Sequence, residues 1–248
     1  MCVSPNWTGR TITTCVLEMC GPQLYCPSQS RLKAAYIAQS PRGAVFLDRD
    51  GIIVEDVGYL TAPSQLNLLP DAVDGIQLLQ DQFLVVIATN QSAVARGLLD
   101  EEELLQIHQA LAQALQSQGA FLDAVYTCPH HPLFGIAPYR RECRCRKPQP
   151  GMLLQAMEDF DIQPNLSCML GDKGSDILAG RLAGVAATVL IQSPKTEATI
   201  MHHDVSTYVA SNLYKAARLV LDHWSKMQSS ENLSSHVAPT DSGVGSHA

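Results

Sequence analysis

Two aspartates one residue apart, Asp48 and Asp50, close the apolar run Ala44-Val45-Phe46-Leu47 and lead into Gly51. A short run without alternation suits a strand buried on both faces of a parallel sheet, with the aspartates just past its carboxyl end. Open α/β sheets bind ligands beyond that edge. In an extended chain, residues i and i+2 face the same way, so the two carboxylates can converge on one site. Such a pair suits a divalent cation, and one carboxylate could attack phosphorus while the other moves protons. The same residues, Asp-Arg-Asp-Gly, also serve in an ordinary surface turn.

A second constellation pairs Cys128 and His130 with Cys143 and Cys145, twelve intervening residues after the histidine. Three sulfurs and one nitrogen make a closed tetrahedral zinc set with no open position, which is a structural site. The segment between holds Pro129, Pro132, Gly135 and Pro138 and little apolar content, so a metal would supply the order it lacks. His131 competes for the histidine position. A Cys143–Cys145 disulfide is disfavoured in a reducing compartment. Cys168 falls within a strand and reads as core.

The elements that must position these residues follow from patterning. Ile52 to Leu60 is β-prone and then broken by Gly58 and Pro63, which predicts a short flap hairpin over the strand end. Asp71 to Gln82 has helical spacing of Val73, Ile76 and Leu79 after Pro70. Phe83 to Thr89 reads as a second strand, ending in Thr89-Asn90-Gln91-Ser92. Asp100-Glu101-Glu102-Glu103 opens the longest helix, with Asp100 and Glu103 placed for a capping box. Leu104, Ile107, Leu111 and Leu115 form its buried stripe, and Gly119 ends it.

Further strands are predicted over Ala124 to Tyr126, Ser167 to Leu170 and Ala187 to Ile191, the second of them ending in Gly171-Asp172. Helices are predicted over Met152 to Phe160, Ile177 to Ala183 and Ser211 to Trp224. This alternation implies an α/β fold, a Rossmann-like parallel sheet flanked by helices. Asp48, Asp50, Thr89 and Asp172 then all stand at strand ends. Each has a plainer reading alone: Asp172 as a helix cap, Thr89 as the end of a strand, Lys147 as a solvated surface lysine. Together and in this order they point to one site.

At 248 residues the chain suits one domain with some extension, and its 46% apolar content is enough for a core. A net charge of -7 gives no electrostatic reason to expect nucleic acid, and a polynucleotide 3′-phosphatase is disfavoured for that reason. No apolar stretch approaches the ~20 residues of a membrane-spanning helix. Residues 1–43 read as an irregular N-terminal extension, 44–226 as the catalytic domain with a zinc loop over 128–145, and 227–248 as a disordered tail. The leader is poor in acids, as transit peptides are, but Glu18 interrupts Cys15-Val16-Leu17, against a secretory signal. Cys2, Cys15, Cys20 and Cys26 lack paired metal-site spacing.

The segments Asp48-Arg49-Asp50-Gly51, Thr89-Asn90-Gln91-Ser92 with Ala95-Arg96-Gly97, Cys128-Pro129-His130-His131-Pro132, Cys143-Arg144-Cys145-Arg146-Lys147-Pro148 and Gly171-Asp172-Lys173 occur in that order. They resemble the motifs of the haloacid dehalogenase superfamily of aspartyl-phosphate hydrolases. Within it the nearest resemblance, over Ala44 to Trp224, is to the D,D-heptose 1,7-bisphosphate phosphatase family. The resemblance implies a fold without a large cap, whose flap and zinc loop wall an open site.

It also implies that Asp48 is the nucleophile and Asp50 the general acid and base. Thr89, the Asn90 amide and Lys147 would hold the transferring phosphoryl, and Asp176 would act from behind. Mg²⁺ would rest on Asp48, the main-chain oxygen of Asp50 and Asp172. Zn²⁺ would rest on Cys128, His130, Cys143 and Cys145, the family pattern favouring His130 over His131. Substrate contacts are expected from Asp56, Val57, Gly58, Tyr59, Asn90, Gln91, Ser92, Arg146 and Lys173, with Arg146 suited to a second phosphate.

The implied substrate is a small phosphorylated sugar, D-glycero-D-manno-heptose 1,7-bisphosphate, cut at its 7-phosphate on the route to lipopolysaccharide precursors. The enzyme is expected to be a cytoplasmic monomer, with neither nucleic acid nor membrane as partner. Val57 stands where the family's flap has histidine, and Ile52 and Val54 replace its usual Thr and Asn. The alternatives are histidinol-phosphate phosphatase, another small phosphoester phosphatase, or a non-catalytic zinc-stabilised interaction module. Lys173 and Ser92 depart from the histidinol-phosphate pattern, and the paired Asp48 and Asp50 argue against a module without catalysis.

Overall fold

The computed structural model describes residues 22–27, 42–192 and 206–235. Among them, seven strands form one sheet: β1 (Gln23–Tyr25), β2 (Ala44–Leu47), β3 (Leu84–Asn90), β4 (Ala124–Cys128), β5 (Cys168–Gly171), β6 (Ala187–Ile191) and β7 (Tyr208–Ala210). Their order is β1-β4-β3-β2-β5-β6-β7, and only the β1–β4 pairing is antiparallel. The helices are α1 (Ala72–Leu79), α2 (Glu101–Gln116), α3 (Gly151–Phe160), α4 (Gly174–Leu182) and α5 (Leu213–Ser235). None of the described helices is long and apolar enough to cross a membrane.

Strand β2 is wholly buried because both of its faces are covered. Val45 and Leu47 join one core with Ile76 and Leu79 of α1, Ile107 and Leu111 of α2, and Ala217 and Val220 of α5. Ala44 and Phe46 join a second core with Met152, Leu153 and Ala156 of α3 and Met169 of β5. That is why the run shows no polar alternation. The chain leaves β2 for β3 on one side and comes back to β5 on the other. Connections therefore diverge at the carboxyl end of β2 and open a crevice there. The capping box of α2 forms as its sequence predicts: Glu103 N–H donates to Asp100 Oδ1, and Asp100 N–H to Glu103 Oε2, both at 2.8 Å.

Several elements differ from the patterning. Gln23–Tyr25 lies in the stretch read as an irregular extension yet forms an edge strand, and α5 runs to Ser235, past the expected start of the tail. Edge strands as short as β1 and β7 leave no readable period. Residues 1–21, 28–41 and 236–248 lie outside the described residues, with most of the leader and the tail end among them. Helix α4 starts at Gly174 rather than Ile177, helped by Lys173 N–H donating to Asp176 Oδ2 at 3.0 Å. The flap is a loop closed at its base, where Glu55 N–H donates to Asn67 O and Leu69 N–H to Ile53 O, each at 2.9 Å. The bridge it makes is the single antiparallel pair Val54–Leu68.

Candidate active site

The β2 ladder continues one residue past the strand, where Asp48 N–H donates to Leu170 O at 3.0 Å. The Arg49 N–H donates to Asp48 Oδ1 at 2.8 Å, which fixes the carboxylate against its own main chain. Lys147 Nζ lies 3.0 Å from Asp48 Oδ1 and 2.6 Å from Asp176 Oδ1, with its side chain 1% exposed. Lys173 Nζ lies 3.5 Å from Asp172 Oδ1, 3.9 Å from Asp56 Oδ2 and 4.0 Å from Asp48 Oδ2. The backbone turns away at Gly51, where φ is 81°. A Cβ there would sit 2.6 Å from Asp172 Oδ2, so only glycine lets the two loops meet.

Asp48, Asp172 and Asp176 each present an oxygen within 4.8 Å of the others. These three buried carboxylates face two ammoniums, Lys147 and Lys173, and so hold one uncompensated negative charge. A hard, all-oxygen donor set with excess negative charge fits a divalent cation. Burial pushes the Asp48 carboxyl up, yet Lys147, Lys173 and the Arg49 N–H hold it below the ordinary carboxylate range. Burial also opposes charge on Lys147, but Asp176 and Asp48 keep its pKa above the usual lysine value. Asp172 goes the other way: burial, with Asp48 and Asp176 nearby, pushes it up to about 6 against the pull of Lys173.

Asp50 turns to different partners. Arg49 Nε and Nη2 donate to its Oδ1 at 3.0 and 2.9 Å, and Gln91 Nε2 donates to Oδ2 at 2.7 Å. The same Gln91 amide donates to Thr89 Oγ1 at 2.9 Å, tying β3 to the first loop. Asn90 uses its side chain structurally: Oδ1 accepts from Lys147 N–H at 3.0 Å, and Nδ2 donates to Lys147 O at 3.1 Å. The end of β3 thereby sets the position of Lys147.

The four predicted metal ligands converge at the end of β4. Cys128 Sγ lies 3.6 Å from His130 Nδ1 and from Cys143 Sγ, and 3.3 Å from Cys145 Sγ. Cys145 Sγ is 3.4 Å from Cys143 Sγ and 3.5 Å from His130 Nδ1. An ion bound tetrahedrally at about 2.3 Å to sulfur needs sulfurs about 3.8 Å apart, so the cluster fits one after small expansion. His131 is committed elsewhere, its Nδ1 accepting from the N–H groups of Leu133 and Phe134, both at 3.1 Å. Of the two histidines, His130 is the one that lies with the three cysteines.

A family model described as HAD-hydrolase-like matches residues 144–216. The D-glycero-beta-D-manno-heptose-1,7-bisphosphate 7-phosphatase of Pasteurella multocida is 42% identical over 153 residues, 61% of this chain and 83% of that protein. The D-glycero-alpha-D-manno-heptose-1,7-bisphosphate 7-phosphatase of Burkholderia mallei is 41% identical over 153 residues, 60% of this chain and 79% of that protein. Among solved structures, the D,D-heptose 1,7-bisphosphate phosphatase of B. bronchiseptica, complexed with magnesium and phosphate, is similar with a TM-score of 0.64 and 33% identity. That match covers 73% of this chain and 99% of the other. The chain belongs to this family of haloacid dehalogenase-like phosphatases. It is a phosphoric monoester hydrolase.

In this phosphatase Asp48, Asp50, Thr89, Lys147, Asp172 and Lys173 come together as the motifs imply, with Asp176 behind them. The convergence of Asp48 and Asp50 does not come from strand alternation, because β2 ends at Leu47. A tight turn brings it about, in which Arg49 O accepts from the N–H groups of Ile53 and Val54. Val57 and Tyr59 stand exposed on the flap, and Asp56 Oδ1 accepts from Gly58 N–H at 2.8 Å. Val54 and Ile52 are buried, so those departures from the family flap fall in the core, with Ile52 also lining a cavity beside Asp56 and Val57. Arg146 Nη1 donates to His130 O at 2.9 Å, and Ser92 O accepts from Arg96 N–H.

Two residues given no role in the sequence hold parts of the site together. The Arg96 guanidinium sits 5.4 Å from the Tyr59 ring centroid and 4.8 Å from that of Phe134, bridging flap and metal loop. Arg49 is buried, a position its place between two site-facing carboxylates signals.

Asp172 folds with a pKa of about 6 against about 3.9 in an unfolded chain. Between those values the folded protein binds the extra proton, so this group's contribution to stability falls as pH rises. A divalent cation replaces that proton and relieves the repulsion. Magnesium is therefore expected to raise the melting temperature more at pH 7 than at pH 5, as scanning calorimetry with and without EDTA would show. A larger effect at pH 5 would contradict this assignment.

Proposed function

We propose that this phosphatase removes the 7-phosphate of D-glycero-D-manno-heptose 1,7-bisphosphate through an aspartyl-phosphate at Asp48. The observation behind this reading is the Asp48 carboxylate, held ionised beside the buried Lys147 ammonium at 3.0 Å. The names of the relatives support the sugar. In the first step an Asp48 oxygen bonds to phosphorus, the bond from phosphorus to the sugar oxygen breaks, and Asp50 gives that oxygen its proton. In the second, Asp50 takes a proton from water as it attacks phosphorus, and the bond from Asp48 to phosphorus breaks to release phosphate.

Lys147 balances charge on the transferring group, where positioning and electrostatics supply most of the rate. Thr89 Oγ1 accepts from Gln91, which leaves its own O–H to donate to a phosphoryl oxygen. The Asn90 amide adds a second donor. Magnesium, held by Asp48, the main-chain oxygen of Asp50 and Asp172, would add positive charge beside the phosphoryl group. Lys173 at the mouth and Arg146, by its planar fork, would meet the substrate's remaining phosphate and hydroxyls.

Zinc on Cys128, His130, Cys143 and Cys145 would hold the loop that delivers Arg146 and Lys147, and takes no part in the chemistry. Its thiolate ligands favour a reducing cytoplasm. The reading takes the enzyme as a monomer.

The test is kcat/KM for phosphate release from the β and α anomers of the heptose bisphosphate and from histidinol phosphate, with Asp48→Asn as the inactive control. The expected preference for a heptose bisphosphate over histidinol phosphate exceeds roughly 100-fold, about 2.7 kcal/mol of transition-state discrimination. Equal or better turnover of histidinol phosphate would overturn the sugar assignment. The purified enzyme is also expected to contain one zinc per chain by elemental analysis. Cys145→Ser should lose the zinc, melt lower and lose activity through Lys147. Full activity without the metal would contradict that role.

A further inference from the structure

Between the two carboxylates of the first loop lies a cation that cannot reach substrate, since the Arg49 side chain is 1% exposed. A guanidinium at that depth is costly unless it is paired and hydrogen-bonded. Its pairing is with Asp50: Nε and Nη2 both donate to Oδ1, and Nη2 also donates to Oδ2 at 3.0 Å. The planar fork thus fixes the carboxylate in orientation as well as in position. Oδ1 is anchored by two nitrogens. Oδ2 is the oxygen that Gln91 reaches at 2.7 Å from the Thr89 side, toward the phosphoryl site.

On the core side, the remaining nitrogen of the fork, Nη1, is buried with no hydrogen-bond partner among the described residues. His108 of α2 is buried, with Nε2 3.1 Å from Thr127 Oγ1 of β4. Burial, and then the charge of Arg49, keep this histidine neutral well below its ordinary pKa. A neutral ring lets the guanidinium sit against α2 without a second buried cation. The Asp50 side chain, by contrast, is 21% exposed and open to the site.

We propose that Arg49 is a positioning residue for the proton transfer: its fork contacts both oxygens of the Asp50 carboxyl and so fixes the plane in which Oδ2 is presented to the departing sugar oxygen. Gln91 completes the clamp and registers it to Thr89. The proposal rests on the reading of Asp50 as general acid. It makes the residue between the two aspartates part of the site's geometry and not a spacer.

A positioned acid matters most when the leaving group is a poor one. An alkoxide such as the sugar oxygen needs the proton, whereas p-nitrophenolate departs without it. The experiment compares kcat/KM, which reports the phosphorylation step, on heptose bisphosphate and on p-nitrophenyl phosphate for wild type, Arg49→Lys, Arg49→Met and Asp50→Asn. Arg49→Met is expected to lose about 100-fold on the sugar and less than about threefold on the nitrophenyl ester. Arg49→Lys, which keeps the charge but not the fork, should fall between wild type and Arg49→Met on the sugar. It also supplies the answer if Arg49→Met fails to fold.

Equal losses on both substrates would show a merely structural residue and overturn the proposal. If Asp50→Asn shows the leaving-group dependence and the Arg49 variants do not, the Arg49 assignment alone fails. If Asp50→Asn shows none, the reading of Asp50 as acid fails first and the proposal goes with it.

Discussion

A lysine ammonium shut away from water stands between two carboxylates, Asp48 on the loop after β2 and Asp176 on α4. Removing one partner of such a buried group strands the others, at a typical cost of about 3–5 kcal/mol. Lys147 is therefore held from several directions. Asn90 grips its main chain from the end of β3, and Cys128, His130, Cys143 and Cys145, which could together hold a metal ion, converge just before it. The cysteine and histidine loop, the central sheet and Asp48 are joined through this one side chain. That linkage explains why an irregular segment with little apolar content is kept beside a catalytic edge.

The same electrostatics separate the roles of two aspartates that are one residue apart. Asp48, the proposed nucleophile, meets ammoniums and a main-chain donor that hold its carboxyl below the ordinary range. Asp50 meets a guanidinium fork and an amide at a more open position, where a proton can be exchanged with substrate and water. Asp172 makes up the excess negative charge that a divalent cation would relieve. Environment assigns the tasks, and sequence spacing only brings the residues together.

Much of this was legible beforehand. The apolar run ending in Asp48 and Asp50, the Thr89 and Asp172 strand ends, and the cysteine and histidine spacing all record long-range convergence in local text. The α2 cap was equally plain, because Asp100 and Glu103 bond within one turn. What could not be read depends on tertiary contact. Asn90 and Gln91 look like ligand donors in sequence, and no local pattern shows that their side chains also bond Lys147, Asp50 and Thr89. Val54 reads as a change beside the sugar, yet it packs in the core. Strands β1 and β7 are three residues each and rest on pairing with a neighbour that no local pattern encodes. Arg96 connects flap and metal loop through two aromatic rings far apart in sequence.

The central claim is that Asp48 becomes phosphorylated and that Asp50 is needed to clear it. The most direct measurement is rapid acid quench of the enzyme during turnover, followed by peptide mass spectrometry. The account predicts a phosphoryl adduct on the peptide containing Asp48, absent from Asp48→Asn and persisting longer in Asp50→Asn. Turnover at the full rate with no adduct at Asp48, or an adduct on another residue, would contradict it.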